Sequence, residues 1–177
     1  MKSMQSIVLK HGLIAGGILI VAFAVTLPLG LHSEVIGYTS MVLAFLLVFF
    51  GIRAYREEIG GAIGFGKAFQ VGILITLVIC AIYVVSWEIV YWGFMPDFLD
   101  KYNAHALAKL RASGATEAAI REAQAKMAQL AKLYANPLFN AGITFMEIFP
   151  VGLIVTLVSA AILRRKQAPG APAVAAA

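Results

Sequence analysis

Four long apolar runs constrain the fold of this chain more than any other feature. They cover residues 12–31, 35–52, 68–95 and 138–163, and at 1.5 Å per helical residue each can cross a hydrocarbon layer of roughly 30 Å. The chain is 61% hydrophobic and 13% charged, which is too apolar for the single core of a soluble domain. Because every backbone amide in a bilayer needs an internal partner, the runs predict an all-α polytopic membrane protein.

The four predicted transmembrane helices leave one sizeable segment outside the membrane. We predict a single integral membrane domain over residues 1–166, with an external helical hairpin at residues 97–136 between the third and fourth spans. The Ala- and Pro-rich tail, residues 167–177, has the composition of a disordered segment.

Basic residues fill the short connections on one side of the predicted bundle. They precede the first span, fill the connection between the second and third, and follow the fourth: Lys2, Lys10, Arg53, Arg56, Lys67, Arg164, Arg165 and Lys166. The six basic residues between Asp97 and Asn136 lie in a long segment that also contains acidic residues, so they count for less in predicting the orientation. The short turn His32-Ser33-Glu34 has no Lys or Arg, so the positive-inside rule predicts that both termini are cytoplasmic. This asymmetry also disfavours a dual-topology dimer, and the position of the basic residues at span ends argues against nucleic-acid binding.

The start of the chain also has the features of a secretory signal. Lys2 and Lys10 precede the first apolar run, and Ala22-Phe23-Ala24 imitates a cleavage site. The run continues beyond that site to Leu31, which favours a first transmembrane span over a cleaved leader.

One glycine-containing segment imitates half of a nucleotide-binding loop. Residues Gly61 to Lys67 match G-x-x-x-x-G-K, but Ala68 stands where Ser or Thr would bind magnesium, and no strand precedes the match. We therefore expect a membrane-proximal turn in which Lys67 snorkels to the surface.

The segment between Asp97 and Asn136 has helical periodicity in both halves. Gly114 is suited to the left-handed end of the first helix, and Thr116 to the N-cap of the second. Glu117 with Arg121 and Glu122 with Lys126 are spaced for i,i+4 ion pairs on an exposed face. The second helix carries a candidate partner-binding seam with heptad-like spacing, formed by Ile120, Ala123, Met127, Leu130 and Tyr134. This seam packs either within the hairpin or against a second copy or another membrane protein.

Two apolar runs contain a carboxylate with no basic residue in the same run. Counting along the helices places Glu88 about 10 Å and Glu147 about 15 Å below the outer ends of their spans, close enough in depth to meet. At that depth each is expected to be protonated or to share a proton. Tyr91 and Trp92 are helical neighbours of Glu88, and Pro150 follows Glu147 and removes one backbone hydrogen bond.

These membrane acids admit two interpretations. A bent helix with an acid at the bend is typical of proton or ion pathways, whereas carboxyl groups bonded to hydroxyls such as those of Thr144 or Ser86 would be structural. The other chemistry-bearing residues give no further site. Cys80 is the single cysteine and lies within a span, His11, His32 and His105 are separated, and no hydrolytic motif occurs. We therefore predict no enzyme activity, no metal site and no cofactor.

Several stretches of the sequence together resemble the bacterial domain-of-unknown-function family 4199. They run from Gly51 to Arg56, Gly60 to Phe69, Pro96 to Tyr102, and Asn136 to Gly152. The resemblance extends from about Lys10 to Leu163 and implies a small bacterial inner-membrane protein with four spans, without catalytic residues to carry over. We expect a non-enzymatic accessory, assembly or sensing component; the alternative is a proton-coupled transporter or channel.

Overall fold

A computed structural model describes residues 3–26 and 34–165 of the chain. Within them, six α-helices follow one another: α1 (Met4–Thr26), α2 (Glu34–Glu58), α3 (Phe65–Gly93), α4 (Phe98–Ala112), α5 (Glu117–Tyr134) and α6 (Pro137–Leu163). Four of these, α1, α2, α3 and α6, are long and apolar enough to cross a membrane. The prediction of an all-α protein with four spans and two shorter helices between the third and fourth is confirmed.

The first helix begins well before the apolar run that predicted it. The run starts at Gly12, whereas α1 starts at Met4. Ile7 and Val8 are buried, so the added turns have an apolar face that packs inside the protein. Of the predicted turn His32 to Glu34, only Glu34 lies within the described residues. The predicted tail, residues 167–177, lies outside them.

The chain forms two compact units. The first unit comprises residues Met1–Tyr83 and Phe145–Ala177, and the second unit comprises Val84–Thr144. The boundary between the units falls within α3 and α6.

In the first unit, α2, α3 and α6 supply most of the core. Its largest fully buried side chains include Phe45, Val48, Ile52, Val71, Ile75, Ile79 and Ile148. Lipid tails are as apolar as these side chains, so helix association in a membrane depends on close packing and on hydrogen bonds. The buried hydroxyls of Thr76 and Thr156 form such a bond between α3 and α6, at 2.8 Å.

A tight connection joins α2 to α3 where the sequence imitates a phosphate loop. Gly60 and Gly61 have φ of 91° and 84°, a left-handed conformation that favours glycine. The backbone of Ile63 then exchanges two hydrogen bonds with that of Arg165, of 3.1 Å and 2.9 Å. Lys67 lies in the first turn of α3 with its Nζ 5.9 Å from the centre of the Tyr55 ring.

In the second unit, α4 and α5 form the helical hairpin. Gly114 adopts a φ of 78° after α4, and the side chain of Thr116 accepts a hydrogen bond from the amide of Ala119, at 3.3 Å. Both features follow from the residue types, because glycine tolerates left-handed backbone and threonine satisfies an unbonded amide at a helix start.

Candidate functional site

The carboxyl group of Glu88 is the central feature of the second unit. Trp92, one turn later on α3, donates its indole Nε1–H to Glu88 Oε2 at 2.8 Å. The other oxygen, Oε1, is buried and has no hydrogen-bond partner among the described residues. A buried acceptor in this state is uncommon, since an unmade hydrogen bond costs about 1–3 kcal/mol.

A second polar group, the amide of Asn140 on α6, lies fully buried in the same unit. Trp87 donates its indole Nε1–H to Asn140 Oδ1 at 3.0 Å, and Thr144 Oγ1 lies 3.4 Å from the same oxygen. An indole nitrogen can only donate, so this contact fixes which end of the amide is the oxygen. Asn140 is not among the residues predicted from the sequence, although an amide in an apolar run is itself a signal of a polar contact.

The nitrogen of the Asn140 amide is a buried hydrogen-bond donor, whereas Glu88 Oε1 is a buried acceptor. Nδ2 is buried and has no hydrogen-bond partner among the described residues. Its two N–H groups can only donate, whereas an ionised carboxylate can only accept. The second unit thus contains one unused buried acceptor and one unused buried donor.

Aromatic side chains surround these polar groups. Ring pairs at centroid distances of 5.0 to 6.4 Å connect Trp87, Tyr91, Trp92, Phe98, Tyr134 and Phe139. The contacts of Trp87 with Phe98 and of Tyr91 with Tyr134 join the hairpin to the C-terminal end of α3. Such pairs contribute about 0.5–1.5 kcal/mol each beyond the area they bury.

The polar groups lie close to the helix ends. Glu88 is five residues before Gly93, where α3 ends, or about 7.5 Å along the axis. Asn140 is three residues after Pro137, where α6 begins, or about 4.5 Å. This depth is shallower for Glu88 than the sequence estimate, because α3 stops before the apolar run does, and it is the level at which Trp and Tyr are enriched.

Glu147, the second predicted membrane acid, belongs to the first unit and has an exposed side chain on α6. Pro150 follows inside the same helix, which continues to Leu163. The exposed neighbours on this face include Met146 and Ile154. The structure thus assigns Glu88 and Glu147 to different units and different degrees of burial.

The predicted seam of α5 is used unevenly. Ile120 is buried, Met127 is half-buried, and Tyr134 is half-buried in the aromatic cluster. Leu130 is 41% exposed, and the neighbouring Leu133 is 44% exposed. Ile120, Met127 and Tyr134 thus pack at least partly within the unit, and the strip of Leu130 and Leu133 faces outward.

Charged residues on the hairpin form local pairs. Lys101 contacts Asp97 at 2.6 Å, and Lys126 contacts Glu122 at 2.7 Å. The hydrogen bond from the lysine is the main cause that lowers the pKa of each carboxyl group. Arg121 instead donates its Nε–H to the main-chain oxygen of Glu117, at 3.4 Å. Exposed pairs of this kind contribute little stability.

The described residues contain no group of three His, Cys, Asp or Glu side chains that could hold a metal ion. Cys80 is buried as a free thiol in α3. Within the described residues, the side chains therefore do not form a set of ligands for a metal ion.

Comparison with known proteins identifies the family of the chain. No curated protein and no solved structure matches it. A family model described as a protein of unknown function, DUF4199, matches residues 10–165, which include all four apolar helices except the first turns of α1. The chain therefore belongs to the DUF4199 family.

Proposed function

We propose that this protein is a non-enzymatic accessory or assembly component of the bacterial inner membrane, with both termini cytoplasmic, that acts through its external hairpin. The observation that carries the proposal is the exposed strip of Leu130 and Leu133 on a hairpin that aromatic contacts fix to the C-terminal end of α3. Contiguous apolar side chains that are exposed outside the bilayer are typical of protein-protein contact sites.

The occupant we propose for this strip is the α5 helix of a second copy. The two-fold axis of such a dimer brings the Leu130 and Leu133 strip of one copy against the same strip of the other, so each copy covers the exposed leucines of its partner.

Cross-linking in native membranes tests this pairing. In a Cys80→Ala background, Leu130→Cys should give an adduct of twice the chain mass with a short bis-maleimide. The matched control is Ala128→Cys, which is also exposed but is turned about 200° around the helix. It should give little adduct.

Leu130→Asp should abolish the dimer as measured by light scattering in detergent, because it places a charge in the interface. Equal cross-linking at residues 128 and 130, or a dimer that survives Leu130→Asp, would refute the self-association. An adduct of another mass at residue 130 would assign the strip to a different membrane protein.

A proton-coupled transporter or channel is the second candidate, favoured by Glu88 Oε1, which has no hydrogen-bond partner among the described residues. Carbodiimide modifies protonated carboxyl groups in apolar surroundings. Labelling of Glu88 that decreases as the pH rises from about 5 to about 9, read by mass spectrometry, would support proton handling. Under the accessory proposal we expect labelling that is absent or independent of pH, and a dimer that Glu88→Gln and Glu147→Gln leave intact.

A further inference from the structure

A cavity of about 560 Å³ opens in the first unit, away from the residues used above. The first turns of α1 and the last turns of α2 form it, and its lining residues are Ser6, Ile7, Lys10, His11, Ala54, Glu57 and Glu58. A volume of this size is within the range of small-molecule sites.

The histidine in this cavity is held in a defined orientation. His11 Nδ1 lies 2.8 Å from the main-chain oxygen of Ile7, and because that oxygen only accepts, Nδ1 carries the hydrogen. The neutral ring then has its lone pair on Nε2. Gly51 of α2 makes room for the ring, since a Cβ there would lie 3.3 Å from His11 Cγ.

Both signs of charge line the same cavity. Lys10 supplies an ammonium from α1, whereas Glu57 and Glu58 supply carboxylates from α2. Arg53 fixes Glu57 through a 2.9 Å contact between its Nε and Oε1. This arrangement complements a molecule that carries a cation and an anion together, better than it complements a simple ion of either sign.

The position of the cavity indicates where such a molecule comes from. Lys10 lies just before the apolar run that begins at Gly12, and Glu57 lies just beyond the run that ends at Ile52. The cavity is therefore level with the membrane surface, where phospholipid headgroups lie. Ser6 lies in the first turn of α1, where the helix dipole favours an anion, and Lys10 follows one turn later.

We propose that this cavity binds the headgroup of an amine-bearing phospholipid. The phosphate contacts Lys10 and the Ser6 hydroxyl, and the primary ammonium donates to the carboxylates of Glu57 and Glu58, with His11 Nε2 as a further acceptor. A trimethylated headgroup has no N–H to donate and fits poorly. This inference goes beyond the proposed function and does not depend on it.

Native mass spectrometry of the purified full chain tests the proposal. The protein is mixed in detergent with phosphatidylethanolamine, phosphatidylcholine or phosphatidylglycerol of identical acyl chains. We expect the occupancy by phosphatidylethanolamine to exceed that of the other two by about fivefold. Lys10→Met and Glu57→Gln should each lower it by about fivefold, since each removes one charge-assisted contact.

Lys126→Met is the matched control, because it removes a lysine from an exposed i,i+4 pair on α5; it should retain the lipid, as should Lys10→Arg. Ser6→Ala, an exposed substitution, provides a second test if another variant does not fold by circular dichroism. Equal retention of the three lipids, or unchanged occupancy in the cavity variants, would overturn the proposal. Binding of free O-phosphoethanolamine without lipid preference would assign the cavity to a soluble zwitterion instead.

Discussion

Gly152 is a residue at which close packing of the first unit leaves no room for a side chain. A Cβ there would lie 2.6 Å from both Phe45 Cε1 and Thr76 Cγ2. Atoms that close cannot coexist, so the Phe45 ring, the Thr76 side chain or the helices that carry them would have to shift.

We predict that Gly152→Ala destabilises the protein by about 1–3 kcal/mol, the usual cost of overpacking a core. Unfolding in detergent, followed by circular dichroism, measures this change. Gly142→Ala on the same helix is the matched control, because nothing lies within 4 Å of its Cβ position. A Gly152→Ala protein as stable as the control would show that the helices have more room than the structure indicates.

The sequence predicted some of the polar site and missed the rest for a physical reason. Trp92, expected as a neighbour of Glu88, lies one turn away on the same helix and bonds its carboxyl group. Helical spacing is readable in a sequence. The bond from Trp87 to Asn140 joins residues on different helices, and no periodicity within one helix encodes such a pair.

At the scale of the element, Thr116 decides where α5 begins. Its side chain accepts from the amide of Ala119, which would otherwise be one of the unbonded amides at a helix start.

Thr116→Ala should destabilise the hairpin by about 1 kcal/mol. Amide hydrogen exchange should quicken in the first turn of α5 around Ile120 and remain unchanged in α3. Thr116→Ser keeps the hydroxyl and should preserve most of the protection. Equal exchange in the alanine and serine variants would mean that the cap contributes nothing.

Helix bounds were predictable where a turn or capping residue marks them, and not where polar and apolar residues mix. The turn of the hairpin has one sequence signal on each side. Gly114 follows α4 with a left-handed backbone, and Thr116 is the N-cap of α5, as predicted. The early start of α1 was missed because Met4 to His11 mix polar and apolar residues. The sequence signal for this early start is the pair of apolar residues Ile7 and Val8, which are buried in the structure. The pair becomes visible only when helical periodicity is sought outside the apolar run.

For the whole molecule, the distribution of basic residues predicts which side of the membrane each segment occupies. The turn of the hairpin should be periplasmic and the start of α1 cytoplasmic.

Single cysteines in a Cys80→Ala background test this orientation. Ser113→Cys, at an exposed position after α4, should react with a membrane-impermeant maleimide once the outer membrane is permeabilised. Gln5→Cys, exposed near the start of α1, should react only after the inner membrane is opened. The reverse pattern would invert the topology, and equal labelling of both sites before lysis would contradict a fixed orientation.

The backbone exchange between Ile63 and Arg165 carries a consequence for the path of the chain across the bilayer. Ile63 precedes α3, Arg165 follows α6, and their amide and carbonyl groups meet at 2.9 and 3.1 Å. A distance that short cannot extend across a hydrocarbon layer of roughly 30 Å. The chain must therefore leave one membrane surface through α3 and return to that same surface through α6. Two hydrogen bonds thus fix the direction of the last span relative to the third, whichever surface is cytoplasmic.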